Sequence, residues 1–216
     1  MTRATDELLS EKLGYAGFKK RFVEANCQKC PLSRSRTNIV FDRGNPAAKI
    51  LIIGEAPGAE EDKAGLCFVG RAGRLLDKMM ASIGVDTGRD TLITNVLKCR
   101  PPDNRVPTRE EAESCLPFLE KQIELMSPRV IILLGATACR HVFPAMRAAF
   151  SSQVGALIPH PRFRIDCMPL FHPAYLLYDP RKRKDMWAHL KGLREMLIRE
   201  KLIRETPIPE GELPPF

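Results

Sequence analysis

The feature that most constrains this chain is a series of short, unbroken apolar runs separated by stretches of helical periodicity. Residues 49–53 read Lys-Ile-Leu-Ile-Ile and residues 129–134 read Arg-Val-Ile-Ile-Leu-Leu, the pattern of strands buried on both faces. Residues 91–97 form a further strand, and residues 164–171 another, less regular. Between the first two in chain order, residues 70–83 set Leu75, Leu76, Met79, Met80 and Ile83 at helical spacing. Strands alternating with helices specify an α/β domain whose mostly parallel sheet is covered on both sides.

The remaining segments fit around that alternation. Residues 6–26 read as a helix, with Leu8, Leu9, Leu13, Phe18 and Phe22 on an intermittent apolar face, and residues 27–44 as a loop. Thr108 and Glu111 form a capping-box pattern that opens a helix, which Pro117 is expected to kink because it removes a backbone donor. Residues 136–149 read as helical with an interruption at Pro144. Asp179 and Pro180 start the last helix, whose inward face carries Trp187, Leu190, Leu193 and Leu197. Residues 205–216 hold four prolines and read as an extended or disordered tail, which leaves one domain over residues 1–204.

Charge narrows the partners. The chain has 34 basic and 26 acidic residues, a net charge of +8, which favours a polyanion such as DNA or RNA; an ordinary basic enzyme is the alternative. No stretch of about 18 apolar residues exists to span a membrane. The first ten residues include Asp6 and Glu7 and lack an apolar core, so they do not read as a secretory signal.

Two segments stand at the ends of predicted strands. Gly54-Glu55-Ala56-Pro57-Gly58 closes the first, and His172-Pro173-Ala174-Tyr175-Leu176-Leu177 closes the last. Ligands of open α/β sheets bind at such strand ends, so the acidic turn and the histidine turn are expected to be two walls of one active site.

Seven cysteines without an export signal point to free thiols or metal ligands rather than disulfides. Cys27 and Cys30 form C-x2-C, and Cys99 and Cys115 have 15 residues between them. A metal site of these four suits zinc or an iron–sulfur cluster, and spacing does not separate the two. A redox dithiol at Cys27 and Cys30 is a weaker reading, because the pair follows a helix and precedes Pro31. Cys67, Cys139 and Cys167 lie in or beside apolar segments and read as small buried hydrophobes.

Taken together the motifs resemble the family 4, iron–sulfur, uracil-DNA glycosylases. The resemblance runs over residues 27–190. It rests on Cys27-Gln28-Lys29-Cys30-Pro31-Leu32, on Gly54-Glu55-Ala56-Pro57-Gly58 with Glu60-Glu61-Asp62, and on Phe68-Val69-Gly70-Arg71-Ala72-Gly73. It continues through Asn95-Val96-Leu97-Lys98-Cys99-Arg100-Pro101-Pro102, Leu134-Gly135-Ala136-Thr137-Ala138 and the His172 segment. It implies a three-layer α/β/α fold around a four-stranded, mostly parallel sheet, and a [4Fe–4S] cluster on Cys27, Cys30, Cys99 and Cys115. It implies uracil-containing DNA, single- or double-stranded, as partner, a monomer, and a prokaryotic cytoplasmic setting with the nucleoid. A sliding clamp is a partner known to the family, but no clamp-binding motif is found here.

The resemblance also assigns roles. His172 would donate to uracil O2, and Asn95 would present a donor and an acceptor to O4 and N3–H, an order that cytosine reverses. Phe68 would stack on the flipped base. Glu55 would position the attacking water, and the backbone from Ala56 to Gly58 would contact the base. Glu61 would crowd a thymine methyl. Leu176 would fill the gap in the stack. Arg181, Lys182, Arg183 and Lys184, at a helix start, would hold phosphate, with Lys98, Arg100 and Arg105 extending the basic surface.

The family's best-studied relatives carry an aspartate where this chain has Ala56, so leaving-group stabilisation is expected to outweigh base catalysis. The region 101–108 lacks the inserted histidine loop of a branch that bonds covalently to DNA, and Glu55 argues against a branch with broader base range. A catalytically silent DNA-binding paralogue, a zinc-stabilised hydrolase and a glycosylase for another modified base are the competing readings.

Overall fold

Alternate residues of each buried run face opposite layers, and this parity builds the molecule. The computed structural model describes residues 2–143, 150–208 and 216. Among these the strands are β1 (Arg43–Gly44), β2 (Ile50–Gly54), β3 (Thr91–Asn95), β4 (Val130–Leu134), β5 (Ile158–Pro159) and β6 (Asp166–Leu170). The helices are α1 (Thr2–Ser10), α2 (Tyr15–Glu24), α3 (Ala59–Ala64), α4 (Arg71–Ser82), α5 (Arg109–Met126), α6 (Gly135–Val142), α7 (Phe150–Gln153), α8 (Pro173–Tyr178) and α9 (Arg183–Arg199).

Ile50, Ile52, Ile93, Ile132 and Met168 pack on α4, α8 and α9 through Leu76, Met79, Leu176, Trp187, Leu190 and Leu193. Leu51, Ile53, Leu92, Ile131, Leu133 and Cys167 pack on α5 and α6 through Ala112, Leu119, Ile123, Ala138 and Cys139. The result is the expected α/β/α sandwich.

The sheet has six strands in the order β1-β3-β2-β4-β6-β5, not four. The four expected strands are its parallel centre, and β1 and β5 are antiparallel two-residue additions at the edges. Two residues carry no alternation long enough to read from sequence. From β2 the chain crosses to β3 on one side, then returns to β4 on the other, so the order of strand addition reverses at the β2–β4 boundary while the strands stay parallel. Such a switch point opens a crevice beyond the carboxyl ends of the strands.

Some helix boundaries differ from expectation. The stretch 6–26 divides into α1 and α2, with Gly14 as the extended N-cap of α2. Thr108 caps α5 as expected, accepting from Glu111 N–H while the Glu111 carboxylate takes the Thr108 N–H. Pro117 sits within α5, which stays helical for 18 residues. Residues 144–149 of the expected 136–149 helix, and 209–215 of the Pro-rich tail, lie outside the described residues.

A polar chain crosses the α5 side of the protein. The Tyr15 hydroxyl donates to Asp42 at 2.7 Å and accepts from Gln122 at 2.8 Å, and Lys19 donates to Asp42 at 2.6 Å. Burial, then the Asp42 charge, pushes the Tyr15 hydroxyl well above the usual phenol range. The hydroxyl therefore stays protonated and locks α2 to the loop before β1 and to α5. Tyr15→Phe removes the bonds to Asp42 Oδ2 and Gln122 Nε2, leaving Asp42 to Lys19 alone, and should cost about 1–3 kcal/mol in urea denaturation, with the secondary structure retained by circular dichroism.

Candidate active site

The acidic and histidine turns do converge. Glu55, Ala56, Pro57, Gly58, Glu61, Phe68, Ala72, Asn95, Pro101, Asn104, Arg105, His172 and Ala174 line one cavity of about 390 Å³ at the carboxyl ends of β2, β3 and β6. A second cavity of about 290 Å³ shares Glu55 and His172 and continues to Gly135, Phe150, Phe171 and Tyr175. The β2–β3 ladder runs past the strand ends, through Val96 N–H to Gly54 C=O at 2.9 Å and Leu97 N–H to Glu55 C=O at 3.1 Å. Glu55 is thereby set beside Asn95.

Missing side chains make this convergence fit. A Cβ on Gly54 would lie 2.4 Å from Asn95 Oδ1 and 2.5 Å from Phe68 Cζ. A Cβ on Gly73 would lie 1.7 Å from the Phe68 carbonyl oxygen, so α4 passes directly over the Phe68 backbone. Phe68 itself is held at φ +54°, a left-handed conformation that aromatic residues seldom take. Its ring lies 5.8 Å from the His172 ring at 35°. Strain of this kind is retained where surrounding structure over-determines it, commonly at sites.

Asn95 is almost fully buried. Its Nδ2 faces Cys67 Sγ at 3.7 Å, and its Oδ1 has no partner among the described residues. A buried acceptor left unpaired costs about 1–3 kcal/mol. A ligand that brings an N–H into the cavity relieves that cost.

His172 caps α8, its Nδ1 accepting from Ala174 N–H at 3.1 Å. With Nδ1 an acceptor, the proton of the neutral ring sits on Nε2, which is a donor. Burial lowers the His172 pKa to about 4, and the Glu61 charge opposes this only partly. The ring is thus neutral at pH 7.

The Glu61 carboxylate takes the N–H of Gly58 at 3.2 Å and of Gly70 at 2.8 Å. It clamps two loops of the cavity as well as lining it. The Glu55 carboxylate has no hydrogen bond or ion pair among the described residues, and Glu55 lines both cavities.

A known family profile, the Uracil DNA glycosylase superfamily, matches residues 41–191. A type-4 uracil-DNA glycosylase of Sulfurisphaera tokodaii is 41% identical, over 82% of this chain and 82% of its own. Type-4 uracil-DNA glycosylases of Archaeoglobus fulgidus and Thermotoga maritima are 42% and 44% identical, over 79% and 70% of this chain and 88% and 78% of theirs. The chain belongs to the type-4 uracil-DNA glycosylases.

Cys27 follows α2, Cys30 precedes the turn Pro31–Arg34, Cys99 follows β3, and Cys115 is in α5. Cys99, Leu32 and Leu97 form a small apolar cluster on which Cys30, Cys115 and Ala56 pack. Arg36 donates to Cys99 Sγ at 3.2 Å and to the Cys27 carbonyl at 2.9 Å. Burial pushes the Cys99 thiol up to about 11 and Cys115 to about 12, and the neighbouring sulfurs add to both. Among the described residues no group of three or more His, Cys, Asp or Glu is arranged to hold a metal ion. The donor chemistry, soft sulfur in an apolar patch beside one arginine, fits a thiolate-bound centre. Cys67, Cys139 and Cys167 are fully buried, as expected of structural thiols.

The DNA-facing expectations need two corrections. Leu176 is fully buried among the α4 and α9 side chains, so it does not project as a wedge. Lys98 is buried too, and does not extend a basic surface. Its Nζ donates to Thr94 Oγ1 and to the Asn95 carbonyl, both at 2.7 Å, and lies 5.7 Å from the Phe41 ring centre. Arg181 pairs with Asp179, Lys182 with Asp185, and Arg183 with the Phe216 carbonyl. Lys184 is exposed. Arg100 holds Asn104, and Arg105 forks onto Glu111 at the lip of the first cavity.

Ala72, Pro101 and Asn104 line the cavity without a role expected from the sequence, and Arg105, expected on a basic surface, lines it too. The Pro-Pro-Asp-Asn turn was the available signal, since Asp103 and Asn104 both adopt positive φ.

Two outcomes follow from this geometry. Leu176→Ala should lower stability by about 2–5 kcal/mol in denaturant unfolding, as for other buried leucines, without a selective loss of DNA affinity. Uracil release should be flat from pH 8 to pH 6 with respect to His172, because its pKa of about 4 keeps the ring neutral there. An ordinary histidine would titrate at about 6.5 and bend the kcat/KM profile within that range.

Proposed function

We propose that this protein is a monofunctional DNA-repair glycosylase that takes uracil out of the base stack and hydrolyses its N-glycosidic bond, leaving an abasic site. The observation that carries this reading is the unpaired, buried Oδ1 of Asn95 in a cavity whose opposite wall presents His172 Nε2–H. Uracil is complementary: N3–H donates to Asn95 Oδ1, O4 accepts from Asn95 Nδ2, and O2 accepts from His172. Cytosine carries an acceptor at N3 and an amino group at C4. It would leave the buried Asn95 groups unpaired, where discrimination is large.

The reaction breaks C1′–N1, with the bonding electrons leaving on uracil and positive charge developing on the sugar. A neutral His172 aimed at O2 stabilises the departing anion without first giving up its proton. Glu55, unpaired and facing both cavities, supports the sugar cation and holds the water whose oxygen attacks C1′; that water gives up a proton to solvent. Phe68 stacks on the flipped base, and backbone N–H groups between Ala56 and Gly58 face its edge. The absence of an aspartate at position 56 leaves leaving-group stabilisation as the larger contribution.

Cys27, Cys30, Cys99 and Cys115 are the residues to hold a [4Fe–4S] cluster, whose contribution would be to tie the segment after α2 to β3 and α5. Support comes from the four sulfur donors, the apolar patch shared by Cys30, Cys99 and Cys115, and Arg36, which donates to Cys99 Sγ and to the Cys27 carbonyl. Ala56 belongs to that same patch, so the cluster region buttresses the acidic turn. Purified protein should be brown and lose colour and stability on Cys99→Ala; a colourless, zinc-containing wild type would refute the iron assignment.

The deciding experiment uses an end-labelled oligonucleotide with one uracil, treated with alkali after incubation. A cut at uracil, and none at cytosine or thymine, is expected. His172→Ala and Asn95→Ala should each lower the single-turnover rate by about 10²-fold or more with the fold intact. Wild-type rates in both variants would remove these residues from the site.

A further inference from the structure

Flipping a base leaves a gap in the stack, and proteins that hold such a gap open insert a side chain into it. Leu176 cannot do this, because it is fully buried. Its neighbours on α8 face the other way. Tyr175 is 40% exposed and Tyr178 is 89% exposed, the most exposed large apolar side chain among those described. The two are three residues apart in one helix, so they share a face, with Cβ atoms about 5–6 Å from each other.

Their place relative to the chemistry is fixed. His172 is the N-cap of α8 and Tyr178 its last residue, roughly 9 Å along the axis at 1.5 Å per residue. Tyr175 lines the cavity that Glu55 and His172 also line, and its ring rests on Phe171 with centroids 5.6 Å apart. Tyr178 makes no hydrogen bond, ion pair or ring contact among the described residues. Arg181, with its side chain 90% exposed, and the exposed Lys184 follow directly and suit the flanking phosphates. Val106, 59% exposed on the loop before α5, is the competitor, but it offers no ring to stack on a base.

We propose that Tyr178 enters the stack of duplex DNA in the gap left by the flipped uracil, with Tyr175 packed behind it as a rigid support. Tyr178 is a positioning residue: it touches the neighbouring base, not the bond that breaks. This rests on the glycosylase reading above, and the test separates the two.

The full-length wild type, Tyr178→Ala and Tyr178→Phe are compared in single-turnover uracil release from duplex U:A and from single-stranded oligonucleotides. Each strand carries 2-aminopurine beside the uracil. Tyr178→Ala should slow release from the duplex by about 5- to 150-fold, the equivalent of one base–aromatic stack. The loss should be smaller on the single strand, where no pairing opposes flipping. The Phe variant should restore the duplex rate, since the ring and not the hydroxyl stacks. The 2-aminopurine signal on duplex binding should be smaller for Ala than for wild type and Phe, and Tyr178→Ala should melt with the wild type. A Tyr178→Ala enzyme with wild-type duplex rates and signal overturns the wedge while leaving uracil excision standing. Equal losses on both strands, unrescued by Phe, overturn it as well. A wild type that releases no uracil from either strand removes the glycosylase reading, and the wedge falls with it.

Discussion

The catalytic end of the molecule depends on the bare α-carbon of Gly54. At the end of β2 it lies in register with Asn95 on β3, and within 2.4–2.7 Å of where a Cβ would sit are the Asn95 amide oxygen and the edge of the Phe68 ring. Any side chain there would push out the hydrogen-bonding wall and the aromatic wall of the cavity together. Two other glycines serve the same convergence. Gly73 lets α4 cross the Phe68 carbonyl, and Gly135, at φ +87°, lies with its missing Cβ 3.1 Å from the Cβ of His172. Three walls of the cavity thus approach one another only where backbone replaces side chain.

Behind the polar wall stands a buried cation. Lys98 grips the Asn95 carbonyl and the Thr94 hydroxyl, and Thr94 in turn donates to the Phe41 carbonyl. Burial lowers its pKa, while the nearby sulfurs of Cys115, Cys67 and Cys99 and the Asp42 carboxylate oppose that shift. A lone buried ammonium is strongly unfavourable, so its presence requires this ring of acceptors and negative groups. The consequence is mechanical. Asn95 is held from the main chain by Lys98, which sits between the cysteine segment and the Tyr15–Asp42–Gln122 network. The N-terminal helices, the sulfur patch and the Asn95 amide therefore share one polar core.

Much of this was legible in the chain. Ile50–Gly54 and Val130–Leu134 are apolar throughout, and only a strand buried on both faces uses that pattern at that length. The turns after β2 and β6 declared their meeting because the carboxyl ends of a parallel sheet's strands lie along one edge and open on one crevice. The misreadings share one physical origin: sequence gives a residue's chemistry but not its direction. Leu176 follows the histidine motif at the expected interval, yet the short α8 turns it inward and its tyrosine neighbours outward. Lys98 sits among basic residues in sequence, yet the bend after β3 swings it into the core. The edge strands β1 and β5 depend on pairing with distant segments, which no two-residue pattern can announce.

The electrostatics of the cavity also explain how a site without an aspartate at position 56 can work. A histidine of ordinary pKa would be partly charged near neutrality and would attract the Glu61 carboxylate that clamps Gly58 and Gly70. Burial instead fixes His172 as a neutral donor, and Glu61 spends both carboxylate oxygens on backbone N–H groups. The loops of the cavity are then set before any substrate arrives, with His172 Nε2–H, Asn95 Oδ1 and the Glu55 carboxylate left unused among the described residues. A preorganised donor gains most when the charge it meets appears only as the bond breaks. In the reaction proposed above, such a site would favour the departing anion over the bound base, and the weaker provision for activating water would be offset where the barrier is highest.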